Sequence, residues 1–271
     1  MRIRDEKRKI DLQKKKEIRL NKGKNELTFN LNYLITLEYD GYKFGGYAKQ
    51  KHKNTIQDNL EDVLEKILSR KIRTIESSRT DAKVHAKCQK VMFKYYKPIN
   101  LNKLKESINN MIDNDINIIN IDSVDNEFHC RYDVSSKTYY YYISKQYSVF
   151  FRKYKYFHRK LVNIDLITEA SKYLIGKHDF TSYSSSRATQ ESRIRTINYI
   201  NIEETRNDII IKINGDGFLY NMIRIIVGTL LEISDKRLPP NHIKYIMDLK
   251  DRKKAGETAP AHGLYLYEIK Y

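Results

Sequence analysis

The chain has no tryptophan, only two cysteines, and no apolar run long enough to cross a bilayer. Cys88 and Cys130 form no C-x-x-C pair, which points to a reducing compartment and away from a disulfide scaffold. The longest apolar run, Met222 to Leu231, is broken by Arg224 and falls short of the roughly 20 residues that a spanning helix needs. The N-terminus lacks the apolar stretch of a secretory signal. These absences predict a soluble, cytoplasmic protein with no membrane helix.

Several chemistries are missing as well. There is no G-x-x-x-x-G-K-[ST] loop and no G-x-S-x-G elbow, and Gly215-x-Gly217 lacks the third glycine of a dinucleotide fingerprint. The seven histidines are scattered without metal-ligand spacing. If the chain is an enzyme, the expectation is one that uses neither cofactor nor metal.

Positive charge is abundant. Fifty-one Lys and Arg against 34 Asp and Glu leave a formal charge of +17, a field that attracts phosphates, with nucleic acid the first candidate partner and acidic membrane the second. The 22 Tyr and 9 Phe are far too many for a disordered chain. Residues 1–24 hold 11 Lys or Arg against 4 Asp or Glu. That segment reads either as a solvated tail or as an arm that grips phosphates.

Order is expected from about Phe29. Phe29, Leu31, Tyr33, Ile35, Leu37 and Tyr39 alternate as in a half-buried strand that ends at Asp40-Gly41. Thr55 and Asp58 form a capping-box pattern ahead of Ile56, Leu60, Val63, Leu64 and Ile67 on one helical face. Alternation at Val91, Phe93 and Tyr95, a helix from Leu101 to Ile112 and a strand at Ile116 to Ile121 follow. The second half repeats the plan loosely. Strands are expected at Tyr139–Ile143, Ile197–Ile202, Ile209–Ile213 and Leu264–Tyr271, with helices at Ile164–Leu174, at Phe218–Ile233 and after Pro239-Pro240. The division is a basic tail (1–27), an α+β half (28–127) and a second α+β half (128–271).

Between two of these strands lies Ser77-Ser78-Arg79-Thr80-Asp81-Ala82-Lys83-Val84-His85-Ala86. By composition alone this is a solvated turn, and Asp81 a turn-stabilising residue. The order R-T-D-x-x-V-H-A, however, closely resembles the catalytic loop of the tRNA pseudouridine synthase A family. Further blocks are similar to that family in the same order. They are Tyr39-Asp40-Gly41 with Phe44 and Gly46, Thr55-Ile56-Gln57, Phe128 to Tyr132 with Lys137, Tyr139, Tyr141 and Ile143, and His178 to Thr181. Gly217 to Arg224 with Val227-Gly228, and Thr258 to Ala261 with Gly263-Leu264, complete the set. The chain departs from the family pattern at Tyr47 (commonly Trp), at Ser77, Ser78 and Lys83 (small residues or Gly), at Asn221 (commonly His) and at Ile225 (commonly Asn).

The resemblance implies a pseudouridine-synthase fold of the α+β class, with antiparallel sheets in two mixed halves flanking a central basic cleft. It implies a homodimer that binds tRNA at the anticodon arm and isomerises uridines at about positions 38 to 40. Asp81 is the implied catalytic carboxylate. Whether it attacks C1′, adds to the base or removes a sugar proton stays open. Arg224, costly to bury unpaired, is the implied partner that keeps Asp81 ionised. Tyr139 is implied to stack on the target base, and Arg79 to displace that base or hold a phosphate. Residues 145–160, basic and aromatic by turns, suit either RNA contact or a strand with its aromatics in the core. A non-catalytic RNA-binding protein and a ribosome-associated basic protein are the competing readings.

Overall fold

The computed structural model describes residues 31–186 and 192–271. Phe29 and the basic tail lie outside them. Strand β1 (Leu31–Tyr39) follows the expected alternation, and its residues Tyr33, Ile35, Leu37 and Tyr39 are buried. Helix α1 (Ile56–Leu68) starts where the capping pattern puts it, with the Thr55 side chain accepting from the Asp58 backbone N–H. After it come β2 (Thr74–Glu76), β3 (His85–Tyr95), α2 (Leu101–Met111) and β4 (Ile116–Val124). The second half contains β5 (Ser136–Ser144), β6 (Tyr156–Phe157), α3 (Ile164–Lys172), β7 (Gly176–Asp179), β8 (Ile194–Glu204), β9 (Asp208–Gly215), α4 (Met222–Lys236), α5 (His242–Leu249) and β10 (Leu264–Lys270).

The strands of both halves form one sheet in the order β4-β1-β3-β10-β5-β9-β8-β7, with β2 on β3 and β6 on β5. β4, β1, β2 and β3 pair antiparallel, as do β10, β5, β9, β8 and β7. The two sets meet through a short parallel pairing of β3 with β10, where Tyr265 and Leu266 lie opposite His85 and Ala86. The C-terminal strand thus crosses back to the first half and brings the R-T-D loop beside residues contributed by the second.

Two local expectations change. The apolar helix expected from Phe218 begins at Met222, because Asn221 takes a left-handed conformation (φ 62) and the Met222 N–H closes a turn onto the Leu219 carbonyl at 3.0 Å. Arg224 therefore sits in the first turn of α4, and ten of the fifteen α4 residues are buried behind it. In 145–160 only Tyr156–Phe157 pairs, with β5. Tyr147, Phe150 and Phe151 are exposed, Phe150 at 82%, so these aromatics do not line the core.

Close backbone approach fixes two loops at the seam. A Cβ on Gly41 would lie 1.9 Å from the Val84 carbonyl oxygen, and one on Gly228 would lie 1.8 Å from that of Glu257. Only glycine admits these contacts. The first seats the β1 turn on the R-T-D loop, and the second seats α4 on the Thr258–Ala259 segment.

Candidate active site

A cavity of about 440 Å³ opens at the seam, lined on one side by Ser77 to Asp81 and on the other by Tyr139, Phe218 to Arg224 and Leu264, with Arg131 and Lys137 at its flank. Its volume is in the range of small-ligand sites. Asp81, Arg79, Tyr139 and Arg224, singled out from the sequence, all line it.

The loop between β2 and β3 is pinned along its length. The Lys137 ammonium donates to the Ser77 carbonyl at 2.5 Å, the Gln89 amide to the Ser78 carbonyl at 2.7 Å, and the Tyr47 backbone N–H to the Thr80 carbonyl at 3.1 Å. Hydroxyl contacts join Ser77 to Tyr271 (2.6 Å), Ser78 to Tyr139 (2.7 Å) and Thr80 to Tyr39 (2.7 Å). These contacts satisfy the buried polar groups that they join, and Asp81 is presented from a fixed backbone. Lys83 adopts φ 67, the left-handed conformation that a glycine would take without strain. Ser77 and Ser78 are not in that region.

Asp81 Oδ2 lies 3.2 Å from Arg224 Nη1, and both side chains are about four-fifths buried. Arg224 is held from two further directions, by its Nε–H donated to the Ala259 carbonyl (2.7 Å) and by Nη1 donated to Asn221 Oδ1 (2.9 Å). Asn221 thus has two roles, since Asn tolerates the left-handed turn and its amide oxygen orients the guanidinium. The expected ion pair is present and Arg224 does lower the Asp81 pKa, yet the net shift is upward. Burial raises it above the ordinary carboxylate value, and Arg224 offsets that only in part. The carboxylate is poorly hydrated, a state in which it is more basic and less shielded than one in water.

Tyr139 is buried, with its ring edge-on to Phe218 at 5.4 Å between centroids. Burial pushes its hydroxyl pKa up to about 12, so it remains a neutral hydrogen-bonding group. Tyr141 shares its face and donates to the Pro260 carbonyl at 2.8 Å. Tyr140 faces the other way and stacks on Tyr267 at 3.8 Å. Arg79 projects from the rim, largely exposed, with its Nε 2.9 Å from Glu76 Oε1.

Sequence reasoning missed Gln89, Phe218 and Glu76. Gln89 carried a signal, because it is a polar residue in step with Val91 and Phe93 on the inward face of β3, and it is fully buried. Phe218 lay in the Gly217–Arg224 block without a role assigned to it, and the contact of Glu76 with Arg131, 55 residues away, left no local signal.

Comparison with known proteins identifies the family. A family model described as tRNA pseudouridine synthase matches residues 35–133 and 170–271. The tRNA pseudouridine synthase A of Clostridium acetobutylicum is 43% identical over 242 residues, covering 89% of this chain and 99% of that protein. The tRNA pseudouridine synthase A of Bacillus subtilis is 38% identical over 240 residues, covering 87% and 97%. A solved structure of an H/ACA ribonucleoprotein bound to a substrate RNA containing 2′-deoxyuridine aligns at 13% identity and a TM-score of 0.37, over 77% of this chain and 44% of that one. The chain belongs to the tRNA pseudouridine synthase family. It is an isomerase.

Proposed function

We propose that the chain converts uridine to pseudouridine in the anticodon stem-loop of tRNA, at about positions 38 to 40, with Asp81 as the catalytic carboxylate and no cofactor. The observation that carries this reading is the Asp81–Arg224 pair at 3.2 Å beside Tyr139 in a cavity able to hold a nucleoside. Isomerisation breaks the C1′–N1 bond and forms C1′–C5. It needs a carboxylate next to the sugar and base and walls that retain the detached uracil. Asp81 supplies the first. Tyr139, Phe218 and Leu264 supply the second, and Arg224 keeps the carboxylate aimed as charge moves.

The target nucleotide must leave its stack, at a cost of roughly a few kcal/mol. Arg79, exposed at the mouth, fills the space the base vacates or holds a phosphate there. Contacts to phosphates elsewhere, fed by the charge of +17, offset that cost. Exposed Tyr147, Phe150 and Phe151, followed directly by Arg152 and Lys153, suit RNA contact. In this reading the chain works as a homodimer, with one tRNA spanning both copies, in the cytoplasm, where Cys88 and Cys130 stay reduced. No described helix is long and apolar enough to cross a membrane.

The test is tritium release from tRNA containing 5-tritiated uridine. The parent releases tritium, and Asp81→Asn retains most tRNA affinity while releasing none, because affinity comes mainly from phosphate contacts. Turnover by the pure variant above a few per cent of the parent would overturn the role of Asp81. A parent that binds tRNA without releasing tritium would favour a binding protein.

A further inference from the structure

Around the cavity, cations outnumber the carboxylates that face them. Asp81 is matched by Arg224. Glu76 Oε1 accepts from both Arg79 (2.9 Å) and Arg131 (2.5 Å). Lys137, half-buried on β5 and lining the same cavity, has no carboxylate within ion-pair distance among the described residues. Its one acceptor among the described residues is the Ser77 carbonyl at 2.5 Å. An ammonium carries three donors, so two N–H groups are left over, and with the three arginines the cavity has a surplus of two positive charges. A half-buried ammonium without a counter-ion is unfavourable in the free protein and becomes favourable once an anion arrives.

We propose that Lys137 is an RNA-binding residue whose ammonium takes a backbone phosphate adjoining the target nucleotide, the anion that the site lacks when empty. This deepens the reading above and rests on it. The cavity is entered by one unstacked nucleotide, and the nearest anions such a nucleotide brings are its own two flanking phosphates. Arg131 and Arg79, held on Glu76, add to the field, but their shared carboxylate already draws on their charge. Lys137 is therefore the cation with most to gain from the phosphate.

A second consequence follows from the surroundings of Lys137. Burial first and then Arg131 push its pKa down to about 8; Cys130 and Glu76 oppose this, and Arg195 of β8 adds a smaller push downward. Of the other groups at the site, burial pushes Cys130 up to about 11 and Tyr139 up to about 12. Asp81 is raised from a much lower carboxylate value, and the arginines stay charged. A bound phosphate would return Lys137 to its usual range, so complex formation should take up a proton near pH 8.

The experiment uses an anticodon-arm RNA in which single phosphates flanking the target uridine are replaced by neutral methylphosphonates. Binding is measured in an Asp81→Asn background that stops turnover. The expected result is that one substitution weakens binding about ten-fold with Lys137 present, the scale of one charge-assisted hydrogen bond. The same substitution should have little effect with Lys137→Gln. Proton uptake near pH 8, read from binding heats in buffers of different ionisation enthalpy, should be present with Lys137 and absent with Lys137→Arg. Equal losses at every phosphate with and without Lys137, or no proton uptake with Lys137 present, would overturn the proposal. Tritium release by the parent keeps the two readings apart. If the parent converts the arm while no phosphate couples to Lys137, the inference fails and the activity stands.

Discussion

Asp81 and Arg224 are 143 residues apart in the chain and meet at 3.2 Å. One sits in the loop after β2 and the other in the first turn of α4. Neither is held by the other alone. Asp81 rides on a loop fixed by Lys137, Gln89, Tyr139 and Tyr39, and Arg224 is aimed by Ala259 and Asn221. A carboxylate raised by burial and opposed by one cation depends closely on that cation.

Arg224→Met keeps the length of the side chain and removes the charge. The Asp81 pKa, already raised, then rises further. Activity requires the ionised carboxylate, so the acid limb of the kcat profile should move to higher pH, with the largest loss at the acid end. An unchanged acid limb would show that Arg224 does not support Asp81.

Lys83 stands at φ 67 beside the R-T-D motif, and a left-handed residue other than glycine costs about 1–2 kcal/mol. Its ammonium lies 5.3 Å from the centre of the Tyr42 ring, an exposed contact worth about 0.5 kcal/mol. Lys83→Gly should match or slightly exceed the parent in stability, even after the added freedom of glycine in the unfolded chain. Lys83→Val should fall well below it, since a β-branched residue is strained there. Urea midpoints for the three proteins decide the matter.

His85 is buried and stacks on Tyr265 at 4.6 Å. Its Nε2 meets the Lys153 carbonyl (3.1 Å), and its Nδ1 faces both the Gly41 N–H (3.1 Å) and the Asp40 carboxylate (3.0 Å), whose pull toward the charged ring burial outweighs. Burial lowers its pKa from 6.5, so the folded protein binds fewer protons here than the unfolded chain. The stability this neutral ring contributes is complete above pH 6.5 and is lost as pH falls below it. His85→Gln should lower stability at about pH 7.5 and make its decline toward about pH 5.5 shallower. His262, shifted in the same direction by burial, adds to the slope in both proteins. A decline as steep as the parent's would exclude His85 as a contributor.

Gly228→Ala would set a methyl group 1.8 Å from the Glu257 carbonyl oxygen, so α4 and the segment before Ala259 must separate. A loss of about 1–3 kcal/mol is expected. Turnover should fall more than stability alone explains, because Ala259 and Arg224 bond across the same contact. Thermal unfolding together with tritium release measures both. A variant with parental stability would mean that the backbone gives way freely.

Local elements and the inventory of reactive groups were legible in the order of residues alone. Thr55 and Asp58 marked a helix start that depends only on neighbours in the chain. The alternation from Leu31 to Tyr39 marked a strand, and the order of residues around Asp81 marked the loop. Tertiary structure decided the rest, because it depends on distant segments. Parallel pairing of Tyr265 and Leu266 with His85 and Ala86 closes the seam, and no periodicity in either strand announces it. The start of α4 moved from Phe218 to Met222 because Asn221 turns left-handed, although the apolar residues before it fit a helical face. The sign of the Asp81 shift could not be read from charge pairing, since desolvation is set by how much of the molecule surrounds a group, and here it outweighs the nearby cation.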